Sequence, residues 1–152
     1  MSESNELAPQ IVTPEDGEAI RPFGLNMQIM LTTEQTGGAF SAIVAEHQPG
    51  EGPPPHFHRG QEEYVFVLEG TYEVTVGDET RTVGPGTIMF IPRGTVHSFR
   101  NVGQTVGRQL DWSLPGGQDR YFRKIDEMAK GEGFGADAIH RVSAEFDTAF
   151  PG

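Results

Sequence analysis

Cysteine is missing from the 152-residue chain, which excludes disulfides and thiolate ligands and leaves any metal to nitrogen and oxygen donors. Long apolar runs are missing as well; none approaches the ~20 residues that a membrane-spanning helix needs. The opening MSESNELAPQ is acidic and polar, unlike a secretory leader. With the lack of cysteine, this gives the expectation of a cytoplasmic protein. Positive charge is scarce: 11 Lys and Arg stand against 22 Asp and Glu, a net charge of -11. Nucleic acid and anionic membranes are therefore not expected partners.

What the chain has in quantity is turn residues, 20 Gly and 11 Pro. They divide residues 23–114 into about eight short segments rich in β-branched and aromatic residues, each ending at Gly, Pro or Asp. Turn signals every eight to ten residues predict an antiparallel sandwich or barrel. In TYEVTV, Tyr72, Val74 and Val76 alternate with polar residues, the pattern of a strand with one buried face. Residues 1–19 are polar and read as an N-terminal arm. Residues 20–118 read as the β domain, and 119–152 as a C-terminal helix and packing tail. That helix is expected over 119–133, with Asp119 as its cap, Phe122, Ile125 and Met128 on one face, and Gly131 or Gly133 as its stop. Phe134, Ile139, Val142, Phe146 and Phe150 make the remaining tail too apolar for a free linker, so it is expected to pack on the body or on a second subunit.

The stretch PPPHFHRGQEEYVFVLEG carries the chemistry. His56 and His58 are two residues apart, so an extended chain turns both imidazoles to one face. Glu62 and Glu63 open the next strand, and only one of them can face inward. Periodicity does not choose between them, because both faces of that strand are apolar. A third histidine, His97, follows a tight PRG turn inside another apolar strand. Three imidazoles and a carboxylate gathered in an apolar interior are costly unless a cation neutralises the acid and takes up the nitrogen lone pairs. Arg59, Arg81, Arg93 and Arg100 are scattered, so no phosphate cradle is expected.

Two spaced runs frame these residues. The first is Gly50, five residues, His56, one residue, His58, four residues, Glu63, six residues and Gly70. The second is Gly86, five residues, Pro92, Arg93, Gly94, two residues, His97, three residues and Asn101. In both, the chain resembles the cupin superfamily, in particular its small single-domain metal-binding members of the quercetinase-like and polyketide-cyclase-like kind. The resemblance implies an all-β fold, an antiparallel jelly-roll β-barrel with a short C-terminal helix. It implies one divalent transition metal (Fe, Mn, Ni, Co, Cu or Zn) on His56, His58, Glu63 and His97, with Glu63 chosen over Glu62. Glu63 is also the candidate catalytic base, since a carboxylate ligand can leave the ion and take a proton. Glu62 is then an outer residue, solvated or behind the ligands; His47 is expected behind the ligands or as an additional ligand, and Gln61 as a weak oxygen donor or an orienter of bound water. Tyr64, Phe66, Met89, Phe99 and Trp112 are expected to wall an aromatic pocket. The implied activity is that of a dioxygenase acting on a small enolisable or hydroxylated aromatic, such as a flavonol, a diketone or a polyketide-like molecule. A non-redox polyketide cyclase or isomerase and a non-catalytic small-molecule-binding domain are the alternatives, and a homodimer is the expected assembly.

Overall fold

The computed structural model describes residues 6–131 and 135–151; Gly133 and Phe134 lie outside the described residues. Nine strands form within them: β1 (Glu18–Ile20), β2 (Met27–Leu31), β3 (Ser41–His47), β4 (Glu62–Glu69), β5 (Tyr72–Val76), β6 (Glu79–Val83), β7 (Ile88–Ile91), β8 (His97–Asn101) and β9 (Gly107–Leu114). Two helices follow, α1 (Gln118–Ala129) and α2 (Ala136–Glu145). No helix among the described residues is long and apolar enough to cross a membrane.

The strands build two antiparallel sheets in jelly-roll fashion, one in the order β1-β2-β3-β9-β4-β7 and one in the order β6-β5-β8. Alternation decides which side chains meet between them. Along β4, Glu63, Val65 and Val67 are buried while Tyr64, Phe66 and Leu68 turn to the outer face. Val65 and Val67 pack with Tyr72, Val74, Met89, Ile91 and Phe99 in the main core. A second cluster, Ile20, Met27, Ile29, Ile43 and Ala45, is covered by Phe122 of α1.

The expected β-barrel does not form. The sheets stay open, with β1 and β7 at the edges of one and β6 and β8 at the edges of the other. Where the loop 48–61 passes β8, the backbone contacts are an isolated bridge, His56 to His97, and hydrogen bonds of Asn101 with Gly50 and Glu51, with no continuous strand between them. Pro53, Pro54 and Pro55 lead into that bridge without an N–H between them, so no ladder can be extended there to close the cylinder.

The expectation of a single short helix also needs correction. The tail contains α2, whose Val142 packs with Tyr121 and Ile125 of α1, with Phe146 against the same cluster. Val142 and Phe146 are spaced for one helical face, a pattern that a count of apolar residues alone does not separate from an irregular tail. Asp119 does not cap α1. It is fully buried and accepts hydrogen bonds from the backbone N–H of Thr33 (2.9 Å) and from the Thr33 hydroxyl, tying the β2–β3 connection to the helix start.

Candidate metal centre

Three separate parts of the chain bring the cluster together. His97 opens β8 directly after the turn at Gly94, whose φ of 80° suits glycine. Glu63 points inward from β4, held in register by Ser113 of β9 and Ile91 of β7. His56 and His58 lie on an extended segment clamped from both sides. On one side His56 and His97 exchange backbone hydrogen bonds of 3.1 and 2.9 Å; on the other Phe57 and Ala149 exchange bonds of 2.9 and 3.0 Å. One donor atom from each of His56, His58, Glu63 and His97 lies within 4.8 Å of every other.

The three imidazoles share one tautomer. Nδ1 of His56 faces the carbonyl of Pro54, Nδ1 of His58 that of Asp147, and Nδ1 of His97 that of Thr95, each at 2.9 Å. A carbonyl only accepts, so each Nδ1 carries a proton and each Nε2 is left to offer its lone pair to an ion. Nε2 of His97 is 2.9 Å from Glu63 Oε1, and Nε2 of His58 is 3.2 Å from the same oxygen. The His58 nitrogen is buried and off the line of a hydrogen bond, without a partner among the described residues. Lone pairs and a carboxylate facing one another repel unless a cation lies between them. The cluster therefore fits one divalent transition-metal ion, with hydrogen bonds at the back of each imidazole fixing its direction.

Electrostatics at the cluster agree. Burial pulls the His56 pKa down to about 4, and the neighbouring His97 pulls in the same direction. For His58, burial opposes protonation but the adjacent Glu63 carboxylate outweighs it and raises the pKa. Burial pushes Glu63 up, yet Asp111, with His58 and His97 when their imidazoles carry a second proton in place of an ion, outweighs it and holds the carboxyl well below the usual range. Asp111 moves the other way: burial, then the charge of Glu63, raises it well above the ordinary carboxylate value. The two opposed directions favour a shared proton on Asp111 rather than on Glu63 in the ion-free cluster.

The other residues singled out from the sequence lie outside the ligand cluster. Glu62 faces outward and pairs with Arg93 at 2.8 Å. Gln61 donates to the carbonyl of Gly116 (2.9 Å) and accepts from Gln118 (3.3 Å), anchoring the loop to the β9–α1 connection. His47 is outside the ligand cluster; its Nδ1 is 2.8 Å from the Tyr72 hydroxyl. Of the five expected wall residues, Phe99 lines the cavity and Met89 is in the core beside it. Tyr64, Phe66 and Trp112 are instead on the outer face of the larger sheet, where Tyr64 stacks on Trp112 at 5.4 Å. Strand parity requires this once Glu63 faces in. Two residues escaped the sequence reading. Asp111 was visible as a lone acid among apolar neighbours in GRQLDWSL, whereas Asp147 in the tail carried no local signal.

Beside the cluster opens a cavity of about 810 Å³. Its walls are mostly apolar, from Met27, Ile43 and Ala45 of the larger sheet to Phe122, Ile139 and Phe150 of the C-terminal elements. His56, Glu63 and Asp111 bring the metal centre to its wall, and His47, Glu51, Gln109, Gln118 and His140 are further polar lining residues.

The family model of the cupin domain matches residues 43–113. Polyketide synthase CurC of Streptomyces cyaneus is 31% identical over 107 residues, covering 70% of this chain and 70% of that one. Quercetin 2,3-dioxygenase of Bacillus subtilis is 22% identical over 126 residues, covering 83% of this chain and 37% of that one. Among solved structures, the polyketide cyclase RemF of Streptomyces resistomycificus superposes with a TM-score of 0.60 at 28% identity, over 70% of this chain and 80% of that one. The paired sheets, the converging His and Glu side chains and these similarities lead to one conclusion: the chain belongs to the cupin superfamily.

Proposed function

We propose that the protein is a metal-dependent enzyme that folds an enolisable, polyketide-like aromatic precursor in its cavity and promotes a non-redox ring closure. The observation that carries the reading is a largely apolar cavity of about 810 Å³ that opens onto Glu63 and Asp111 at the metal centre. That volume lies in the range of pockets that enclose a multi-ring ligand. Similarity to a polyketide synthase component and to a polyketide cyclase supports the same substrate class. His56, His58, Glu63 and His97 would hold the ion. When bound, it supplies Lewis acidity to a substrate oxygen and so makes the neighbouring carbon easier to deprotonate.

The chain's own residues supply proton transfer and shape. An aldol-type closure takes a proton from carbon and gives one to oxygen. The two carboxyl groups of Glu63 and Asp111 share one proton, so they can accept at Glu63 and donate at Asp111 from the same end of the cavity. The apolar walls hold the rings and exclude water.

The sequence alone favours a dioxygenase, and the similarity to quercetin 2,3-dioxygenase keeps this as the second reading. An oxygen electrode separates the two. Metal-loaded protein incubated with aromatic β-diketones and phenolic polyketides is expected to give a cyclised product without O2 uptake. Uptake stoichiometric with substrate loss would establish the oxygenase instead. The reading also includes a homodimer, formed through the outer aromatic face of the larger sheet.

A further inference from the structure

We propose that His47 and Gln109 form a second binding subsite in the cavity, farther along β9 and β3 from the metal centre. It takes an uncharged oxygen function, a ketone carbonyl or a phenol hydroxyl, on the same ligand whose other oxygens meet the metal centre. The proposal rests on the reading that the cavity holds an enolisable aromatic.

Strand register places the pair. β9 pairs with β3 so that Asp111 lies opposite Ile43, Gln109 opposite Ala45, and Gly107 opposite His47. The inner face of β9 therefore runs from Asp111 at the metal end to Gln109, two residues and about 7 Å farther along. His47 is the next step beyond, beside Gly107. Both His47 and Gln109 line the cavity, and both are buried.

His47 has the opposite tautomer from the metal-site histidines. Tyr72 is fully buried, and burial pushes its pKa up, so it keeps its phenolic proton. Among the described residues that proton has one acceptor, Nδ1 of His47 at 2.8 Å. Burial holds His47 neutral by lowering its pKa to about 4. With Nδ1 accepting, the ring hydrogen must sit on Nε2, which is a donor rather than a ligand atom. Gly107 makes the arrangement possible, since a Cβ there would lie 2.6 Å from the Tyr72 hydroxyl.

Gln109 is 2% exposed, and its Nε2 has no hydrogen-bond partner among the described residues. A buried amide left unpaired in a wall that is mostly apolar is a standing cost, relieved when a ligand oxygen arrives. The amide can present either end, so it accepts from a hydroxyl or donates to a carbonyl while His47 donates to the same oxygen. Among the described residues no Lys or Arg lines the cavity, so a carboxylate or phosphate would enter without a countercharge.

The test uses the zinc-loaded full chain titrated calorimetrically with dibenzoylmethane, its three ring-monohydroxyl isomers and the three methyl analogues of matching size. One hydroxyl isomer is expected to bind about 5–10-fold tighter than the parent, and its methyl counterpart is not. That ratio should fall to near one in His47→Phe and Gln109→Met but persist in His47→Gln, which keeps a donor near the Nε2 position. Zinc content and circular dichroism accompany each variant; the hydroxyl–methyl comparison in the unsubstituted protein stands even if a variant does not fold. Parent binding with no gain for any hydroxyl isomer overturns the subsite alone, as does a gain that survives both removals. Failure of the parent to bind overturns the reading of the cavity as an enolisable-aromatic site and the subsite together.

Discussion

Four buried or half-buried histidines line this interior, and the hydrogen bond made at Nδ1 divides them into two chemical kinds. His56, His58 and His97 each donate from Nδ1 to a carbonyl and present a lone pair, whereas His47 accepts from Tyr72 and presents a proton. The same burial that keeps His47 neutral makes it an acid-sensitive element of the fold. Its folded pKa is about 4 against 6.5 for the free side chain. As pH falls, the unfolded chain binds the proton first, so stability drops from about pH 6.5 and levels off below about pH 4. Between pH 7 and pH 5 the part owed to His47 is about 2 kcal/mol. Urea unfolding of the metal-free protein should therefore show His47→Gln losing about 2 kcal/mol less than the unsubstituted chain over that interval. Equal losses would mean that His47 is not held neutral.

At the scale of elements, the metal centre depends on a piece of chain far from its motifs. The segment after α2 returns across the loop of His56 and His58, and Asp147 acts there twice. Its carbonyl accepts from His58 Nδ1, and its carboxylate accepts from the backbone N–H groups of Arg59 (2.9 Å) and Gly60 (2.6 Å). Asp147 has a φ of 55°, a conformation that Asp tolerates better than Ala. Asp147→Ala loses both carboxylate bonds and the backbone position that aims His58. Metal affinity is expected to fall about 10–100-fold, the usual effect of losing a residue that orients a ligand. Competition with a chromophoric chelator measures this, and unchanged affinity would show that the tail is not needed to orient His58. Nothing in the sequence near residue 147 announces this role, because 89 residues separate it from its partner. By contrast His56, His58, Glu63 and His97 are recognisable from spacing together with family resemblance, since local turns at fixed offsets set where each one emerges.

Over the whole molecule, two surfaces of opposite character decide how copies meet. A net charge of -11 keeps them apart at long range. The outer face of the larger sheet offers the contrary: Ile88 and Phe90 are 59% and 55% exposed, beside Tyr64 and Trp112. Contiguous exposed apolar side chains on an edge strand are the feature that pairing would cover. Sedimentation equilibrium is expected to show a dimer that Ile88→Lys with Phe90→Lys converts to a monomer. Because both side chains are more than half exposed, the double variant should keep its fold and its metal. A monomer before substitution, or a dimer after it, would place the interface elsewhere or remove it.

The chain's sequence by itself determined the short strands and the turns between them, because these depend on period-two alternation and on Gly and Pro at fixed places; the residues that meet at the metal centre, Glu63 rather than Glu62 among them, were legible only with the family resemblance added. Only the tertiary structure decided that the sheets stay open, that Tyr64, Phe66 and Trp112 face outward, and that Asp111, Asp147 and the His47–Tyr72 pair stand behind or beside the site. Those outcomes depend on register between strands distant in sequence and on which hydrogen-bond partner each buried polar group finds. Neither is recorded in the order of residues along any one segment.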